Sequence, residues 1–145
     1  MKNVLKIWTL AALAVVGLTS CDDDKLVDAS HLPEAAQSFI EEHFDGARIS
    51  SVVKEHDDFT VTYNTYLSDG TYVEFGKSGD WREVENRTAG VPTTIIPAKI
   101  NEYVATNYTS LFVVDIEREN IYNVELNNDL DLDFSLDGDF IRIDN

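Results

Sequence analysis

The body of this sequence is written twice, and that constrains the fold more than any other feature. Leu32-Pro33 recurs as Ile96-Pro97, Phe39-Ile40 as Tyr103-Val104, and His43-Phe44 as Asn107-Tyr108, each 64 residues further on. Val73-Glu74-Phe75 then returns as Leu132-Asp133-Phe134, and Gly79-Asp80-Trp81 as Gly138-Asp139-Phe140, at an offset of 59. Matches kept in order point to a duplication, and the smaller second offset to shorter strand connections in the second copy. A solenoid needs at least three stacked units, so two copies must instead share one core.

Each copy reads as a helix followed by strands. Pro33 suits a first helical turn, where its missing N–H costs nothing. Ala36, Phe39, Ile40 and Phe44 follow the 3.6-residue period, and Gly46 is a stop signal. The second helix starts near Pro97 and presents Ile100, Tyr103, Val104 and Tyr108. The period then falls to two. Phe59, Val61 and Tyr63 alternate with Thr60, Thr62 and Asn64, and Tyr122, Val124 and Leu126 alternate with Asn123 and Glu125. Asp69-Gly70 is a hairpin signal, and Asn127-Asn128 occupies the equivalent place. Residues 49–55 and 113–118 read as first strands, and 81–85 and 140–144 as last strands. Alternation of this kind means one covered sheet face and one wet face. The fold class is α+β: two αβββ(β) repeats forming an antiparallel sheet with its helices packed on one face. The units expected are 32–87 and 96–145, joined by a linker over 88–95. On the wet face fall Thr60, Thr62, Asn64, Tyr66, Tyr72, Glu74, Asn123, Glu125, Asp131 and Asp133.

The N-terminus reads as an address. Lys2 and Lys6 precede an apolar run from Ile7 to Leu18, which is shorter than the about 20 residues a membrane-crossing helix needs. It ends at Leu18-Thr19-Ser20-Cys21, which resembles a bacterial lipobox. Residues 1–20 are thus a signal peptide and Cys21, the single cysteine, the lipid anchor. Asp22, Asp23 and Asp24 open an acidic tether over 21–31 and resemble the signal that sends lipoproteins to the cell surface in Bacteroidota. The expected location is the outer membrane, facing the cell surface, with a periplasm-facing anchor as the alternative.

Charge excludes other roles. The chain carries 11 Lys and Arg against 27 Asp and Glu, a net charge of −16, and loss of Lys2 and Lys6 with the signal makes it −18. Nucleic acid needs clustered bases that are missing here. A 43% hydrophobic content still supports a packed core.

The helix led by Leu32-Pro33 and containing Phe39 and Phe44, the strand Val73-Glu74-Phe75, Gly79 and Trp81, and their counterparts Pro97, Phe134, Gly138 and Phe140, together resemble the tandem PepSY-like lipoproteins of Bacteroidota. That family is compared with β-lactamase-inhibitory protein through its helix-on-sheet tandem. The resemblance spans residues 32–145. It implies binding or inhibition of an extracytoplasmic protein and implies no catalytic residue and no cofactor. These are core and turn positions, which speak for fold more than for function.

Three chemistries were weighed against this reading. Gly76-Lys77-Ser78 lacks the glycine a phosphate loop requires at position 71 and reads as a hairpin turn. His31, His43 and His56 have no metal-ligand spacing, and no nucleophile motif is present, so no catalytic residue is assigned. Asp129, Asp131 and Asp133 alternate like the first ligands of a calcium loop, but Phe134 stands where that loop needs Gly and Phe140 where it needs Glu. A weak surface Ca²⁺ site is the alternative to a solvated strand face. The expected activity is non-enzymatic recognition of a protein with a basic surface. Thr62, Asn64, Tyr66, Tyr72, Glu74, Glu125, Asp131 and Asp133 are the candidate contacts, and the alternatives are a cation- or small-ligand-binding envelope protein or a structural surface lipoprotein.

Overall fold

The computed structural model describes residues 24–57 and 59–144. The signal segment, Cys21, Asp22 and Asp23 lie outside the described residues. Nine strands form one antiparallel sheet whose spatial order follows the sequence. They are β1 (Lys25–Val27), β2 (Ile49–Asp57), β3 (Thr60–Leu67), β4 (Tyr72–Gly76), β5 (Trp81–Glu85), β6 (Val113–Arg118), β7 (Tyr122–Leu126), β8 (Asp131–Phe134) and β9 (Phe140–Asp144). Helix α1 (Glu34–His43) precedes β2 and α2 (Ala98–Asn107) precedes β6, so four strands follow each helix.

Both helices start after a proline N-cap, Pro33 and Pro97, and present the expected stripes. Ala36 and Ile40 are buried on α1, Ile100 and Val104 on α2. The cross-strand partners Val73, Val84, Ile116, Val124 and Leu132 place one apolar row under both helices. Phe75 and Phe134, each two residues along from that row, are fully buried. Phe39 of α1 meets Phe75 edge-on at 5.6 Å, and Tyr103 of α2 meets Phe134 edge-on at 5.3 Å, an arrangement that suits ring quadrupoles.

Glycines allow the helices to sit this close. Gly79, in the β4–β5 turn, has φ +91, and a Cβ there would stand 2.9 Å from the Ala36 nitrogen at the start of α1. Gly138, in the β8–β9 turn, has φ +81, and its Cβ would stand 3.0 Å from Lys99 Cβ at the start of α2.

Several expectations need correction. Lys25–Val27, within the stretch expected as tether, pairs with β2 through Leu26↔Val53 and forms an edge strand. Phe59 is not a core residue. It stands before β3 in the β2–β3 hairpin and is 96% exposed, because pairing there starts only at Asp57↔Thr60. In the Asn127-Asn128 turn the left-handed residue is Asp129, at φ +62. Trp81 is half-buried between Phe39 and Tyr122, with the Arg118 guanidinium 4.7 Å from its ring centre.

Candidate functional site

The two-residue period turns the remaining strand residues to the sheet's other face, and pairing aligns them in two rows across it. One row runs Val53, Asn64, Glu74, Glu83, Glu117, Asn123, Asp133, Arg142. The second runs Tyr66, Tyr72, Glu85, Asp115, Glu125, Asp131, Asp144. Like charges directly opposite one another destabilise a sheet, yet Glu74 faces Glu83, Glu83 faces Glu117, and Glu85, Asp115, Glu125 and Asp131 follow in succession. The structure therefore brings eight of the ten wet-face candidates into these two rows, and Thr60 and Thr62 lie outside them toward the β2–β3 hairpin.

It also shows that some of those side chains are already engaged. Asp133 is buried, accepts a hydrogen bond from Asn123 Nδ2 at 2.6 Å, and is ion-paired to Arg142. Asn64 is buried too. It donates to Glu55 Oε1 at 2.6 Å and accepts from the Tyr72 hydroxyl at 3.3 Å. These two residues hold their neighbours in place and do not stand free for a partner. Tyr66 is exposed and packs against Tyr72 at 5.3 Å. Thr62, Glu74 and Glu125 are half-buried, and Asp131 is exposed. Asp24 is exposed and borders an acidic hollow with Glu55 and Glu74. For the calcium-loop spacing, the two oxygens of Asp133 are spent on Asn123 and Arg142. Among the described residues no three His, Cys, Asp or Glu side chains converge on a metal position.

Reading strand by strand misses the centre of the face. Glu83 and Glu85 flank buried Val84, and Asp115 and Glu117 flank buried Ile116, so the period rule could have found them. What it could not supply is that β5 and β6, from opposite halves of the chain, lie side by side. Asp115 is the most perturbed of these acids. Its Oδ1 is buried with no hydrogen-bond partner, and burial first, then the charges of Glu83, Glu85 and Glu125, push its carboxyl up to about 7. Burial also raises Glu74, Glu83 and Asp131, with neighbouring acids adding to it, and raises the Tyr72 phenol.

A guanidinium is seated on the second row. Arg87 follows β5 and grips Glu125 with two parallel hydrogen bonds, Nη1 to Oε1 at 2.7 Å and Nη2 to Oε2 at 2.8 Å, while Nε reaches Glu85 at 3.1 Å. Hydrogen bonding to Arg87 holds the Glu125 carboxyl below its ordinary value. Asn86 anchors the segment: buried, it donates to Thr71 Oγ1 at 2.9 Å and accepts from the Thr88 and Ala89 amides at 3.1 and 2.8 Å. Its place in an Asn-Arg-Thr glycosylation pattern is therefore structural.

The family model described as "Putative beta-lactamase-inhibitor-like, PepSY-like" matches residues 61–142. Three solved structures are similar over nearly their whole length. One, from Bacteroides thetaiotaomicron, is described as a "putative calcium-regulated periplasmic protein". It is 40% identical, with 85% of this chain and 98% of that chain covered and a TM-score of 0.81. A protein from Bacteroides vulgatus described as a "putative periplasmic protein from DUF2874 family" is 36% identical, covering 86% and 99%, with a TM-score of 0.80. A second from that organism, described as a "putative periplasmic protein of unknown function", is 34% identical, covering 84% and 99%, with a TM-score of 0.81. No curated protein matches this chain. Among the described residues no helix is long and apolar enough to cross a membrane. A shared sheet, shared helices and a matched family model lead to one assignment: this chain belongs to the PepSY-like, β-lactamase-inhibitor-like family.

Proposed function

We propose that this protein is a non-enzymatic recognition module of the cell envelope whose open sheet face binds a basic surface on an extracytoplasmic protein. The observation that carries this reading is Arg87. A guanidinium lies across the second row, bidentate on Glu125 and within reach of Glu85, and supports a reading in which a partner's Arg or Lys uses the same chemistry on the neighbouring acids. Raised carboxyl pKa values support it, since crowded acids are relieved when a cation arrives. The exposed Tyr66 and half-buried Tyr72 at the end of the second row add aromatic contact area of the sort that anchors interfaces.

In this reading residues 32–87 and 96–145 are two PepSY-like units joined by 88–95, and their apposed strands β5 and β6 build the centre of the binding face. Residues 1–20 direct export, Cys21 carries the lipid anchor in the outer membrane, and Asp22, Asp23 and Asp24 direct the module to the cell surface. Retention on the periplasmic side is the alternative, in line with relatives described as periplasmic.

The test is capture from envelope extract, with wild-type chain and the double variant Glu83→Lys, Glu117→Lys as baits at low and high salt. A basic protein enriched by wild type, lost on the variant and weakened by salt is the expected result. Equal recovery on both baits would refute the role of the face. A second reading, Ca²⁺ binding, draws on the relative described as a "putative calcium-regulated periplasmic protein". Calorimetry with Ca²⁺ on wild type and on Asp131→Asn with Asp133→Asn separates the two readings.

A further inference from the structure

We propose that the hollow beside the β4–β5 turn is a binding site for an acidic sugar, separate from the carboxylate rows. The hollow is a shallow, solvent-open depression of about 400 Å³ where the β2–β3 hairpin, the β4–β5 turn and the end of β6 meet. That volume lies within the range of small-molecule sites and suits one or two sugar rings.

Its charge runs against that of the molecule. Of the nine Lys and Arg that remain when Lys2 and Lys6 are set aside, three, Lys77, Arg82 and Arg118, line this one hollow, and Asp80 is the single acid among the lining residues. The cations are available. Among the described residues no hydrogen bond or ion pair engages Lys77. Arg82 is ion-paired to Glu74 at 3.6 Å and to Glu119 at 3.8 Å, contacts too long for hydrogen bonds, so its N–H donors remain open to a ligand although its charge is shared. Arg118 is held in place by its bond from Nη2 to the Trp81 carbonyl oxygen at 3.0 Å and by the Trp81 ring. A fixed guanidinium, a second guanidinium with open donors and the free Lys77 ammonium form a receptor for a carboxylate or sulfate.

The rest of the lining suits a polyhydroxylated ring. Phe59 borders the hollow and is 96% exposed, offering a flat apolar ring to the C–H face of a pyranose. Thr60 and Ser78 supply hydroxyls, and the Asp80 carboxylate, which already accepts from Ser78 Oγ at 2.6 Å, has lone pairs left for sugar hydroxyls. An aromatic platform, hydroxyls, one carboxylate acceptor and grouped cations together match an acidic sugar better than a bare anion, which would not use Phe59 or Asp80.

The experiment is calorimetric titration of the full chain with digalacturonate, with its methyl ester as the uncharged control. We expect saturable binding of the acid and about tenfold weaker binding of the ester, the loss that follows from removing charge-assisted hydrogen bonds. Lys77→Gln with Arg82→Gln should weaken the acid by at least about the same factor, and Phe59→Ala should weaken both ligands. Glu125→Gln with Asp131→Asn, which weakens the open face on strands β7 and β8 that do not line the hollow, should leave binding unchanged, so the two proposals fail separately. Absence of saturable heat with the acid, equal affinity for acid and ester, or insensitivity to the double Gln substitution would overturn the site. The acid–ester comparison uses unmodified protein and holds whether or not the variants fold.

Discussion

Replacing Asp115 by Asn should stabilise this protein at neutral pH, although it substitutes a half-buried residue at the centre of the sheet. The folded state keeps the Asp115 carboxyl protonated up to about 7, whereas an unfolded chain ionises it from 3.8. Between those values the native state holds the extra proton. The group's contribution to stability is therefore fully favourable only below the unfolded value and is lost as pH rises to about 7. A gap of roughly three units at 1.36 kcal/mol each gives an upper limit of about 4 kcal/mol. Part of the side chain reaches water, which screens it, and about 2 kcal/mol is the realistic figure. Asparagine removes the charge, keeps the shape, and can donate to the carboxylates of Glu83, Glu85 or Glu125. Urea denaturation followed by circular dichroism at pH 4 and pH 8 provides the measurement. The stability difference between variant and wild type should shift by about 2 kcal/mol in favour of Asn between the two pH values. Subtracting wild type at each pH cancels the titration of Glu74 and Asp131, which are not among the charges acting on Asp115. A difference independent of pH, or a variant less stable at pH 8, would refute the account of Asp115 as a charge held under burial and repulsion.

Other perturbations probe separate parts of the structure. Gly79→Ala and Gly70→Ala both place a Cβ at positive φ, but only Gly79 brings it against α1, whereas Gly70 faces open space. Thermal melts should show a loss of about 1 kcal/mol at Gly70 and about 2–4 kcal/mol at Gly79. Asn86→Ala strips the partners from the Thr88 and Ala89 amides and from Thr71, and should cost about 2–3 kcal/mol in urea denaturation. Arg87→Ala should raise the Glu125 carboxyl from its lowered value, because the hydrogen bonds that hold it down are gone. NMR titration of the Glu125 carboxyl reads this directly, and an unmoved titration would mean the ion pair does not persist in solution.

Much of the fold was legible because it rests on local periodicity. Pro33 and Pro97 mark helix starts through a missing N–H, Asp69-Gly70 marks a turn through glycine's freedom at positive φ, and the period-two strands sort their residues onto two faces. Phe59 misled for the same reason. It continues the alternation of Val61 and Tyr63, but alternation buries a side chain only where a neighbouring strand and a covering helix reach it, and at the hairpin neither does. Lys25–Val27 carried no signal, because a three-residue edge strand is defined by its partner β2 more than by its own residues.

The candidate site divides along the same line. Sequence alone determined which side chains leave the core and that most of them are acidic, because side-chain direction follows from backbone period and net charge follows from composition. Tertiary structure decided which of those acids became neighbours. Pairing β5 with β6 set Glu83 against Glu117 and Glu85 against Asp115, buried one oxygen of Asp115 among like charges, and turned Arg87 back onto Glu125. It also brought Arg118, at the end of β6, beside Lys77 in the β4–β5 turn and Arg82 in β5. Electrostatic energy depends on distance and on access to water, and neither quantity exists along a sequence until the chain has folded.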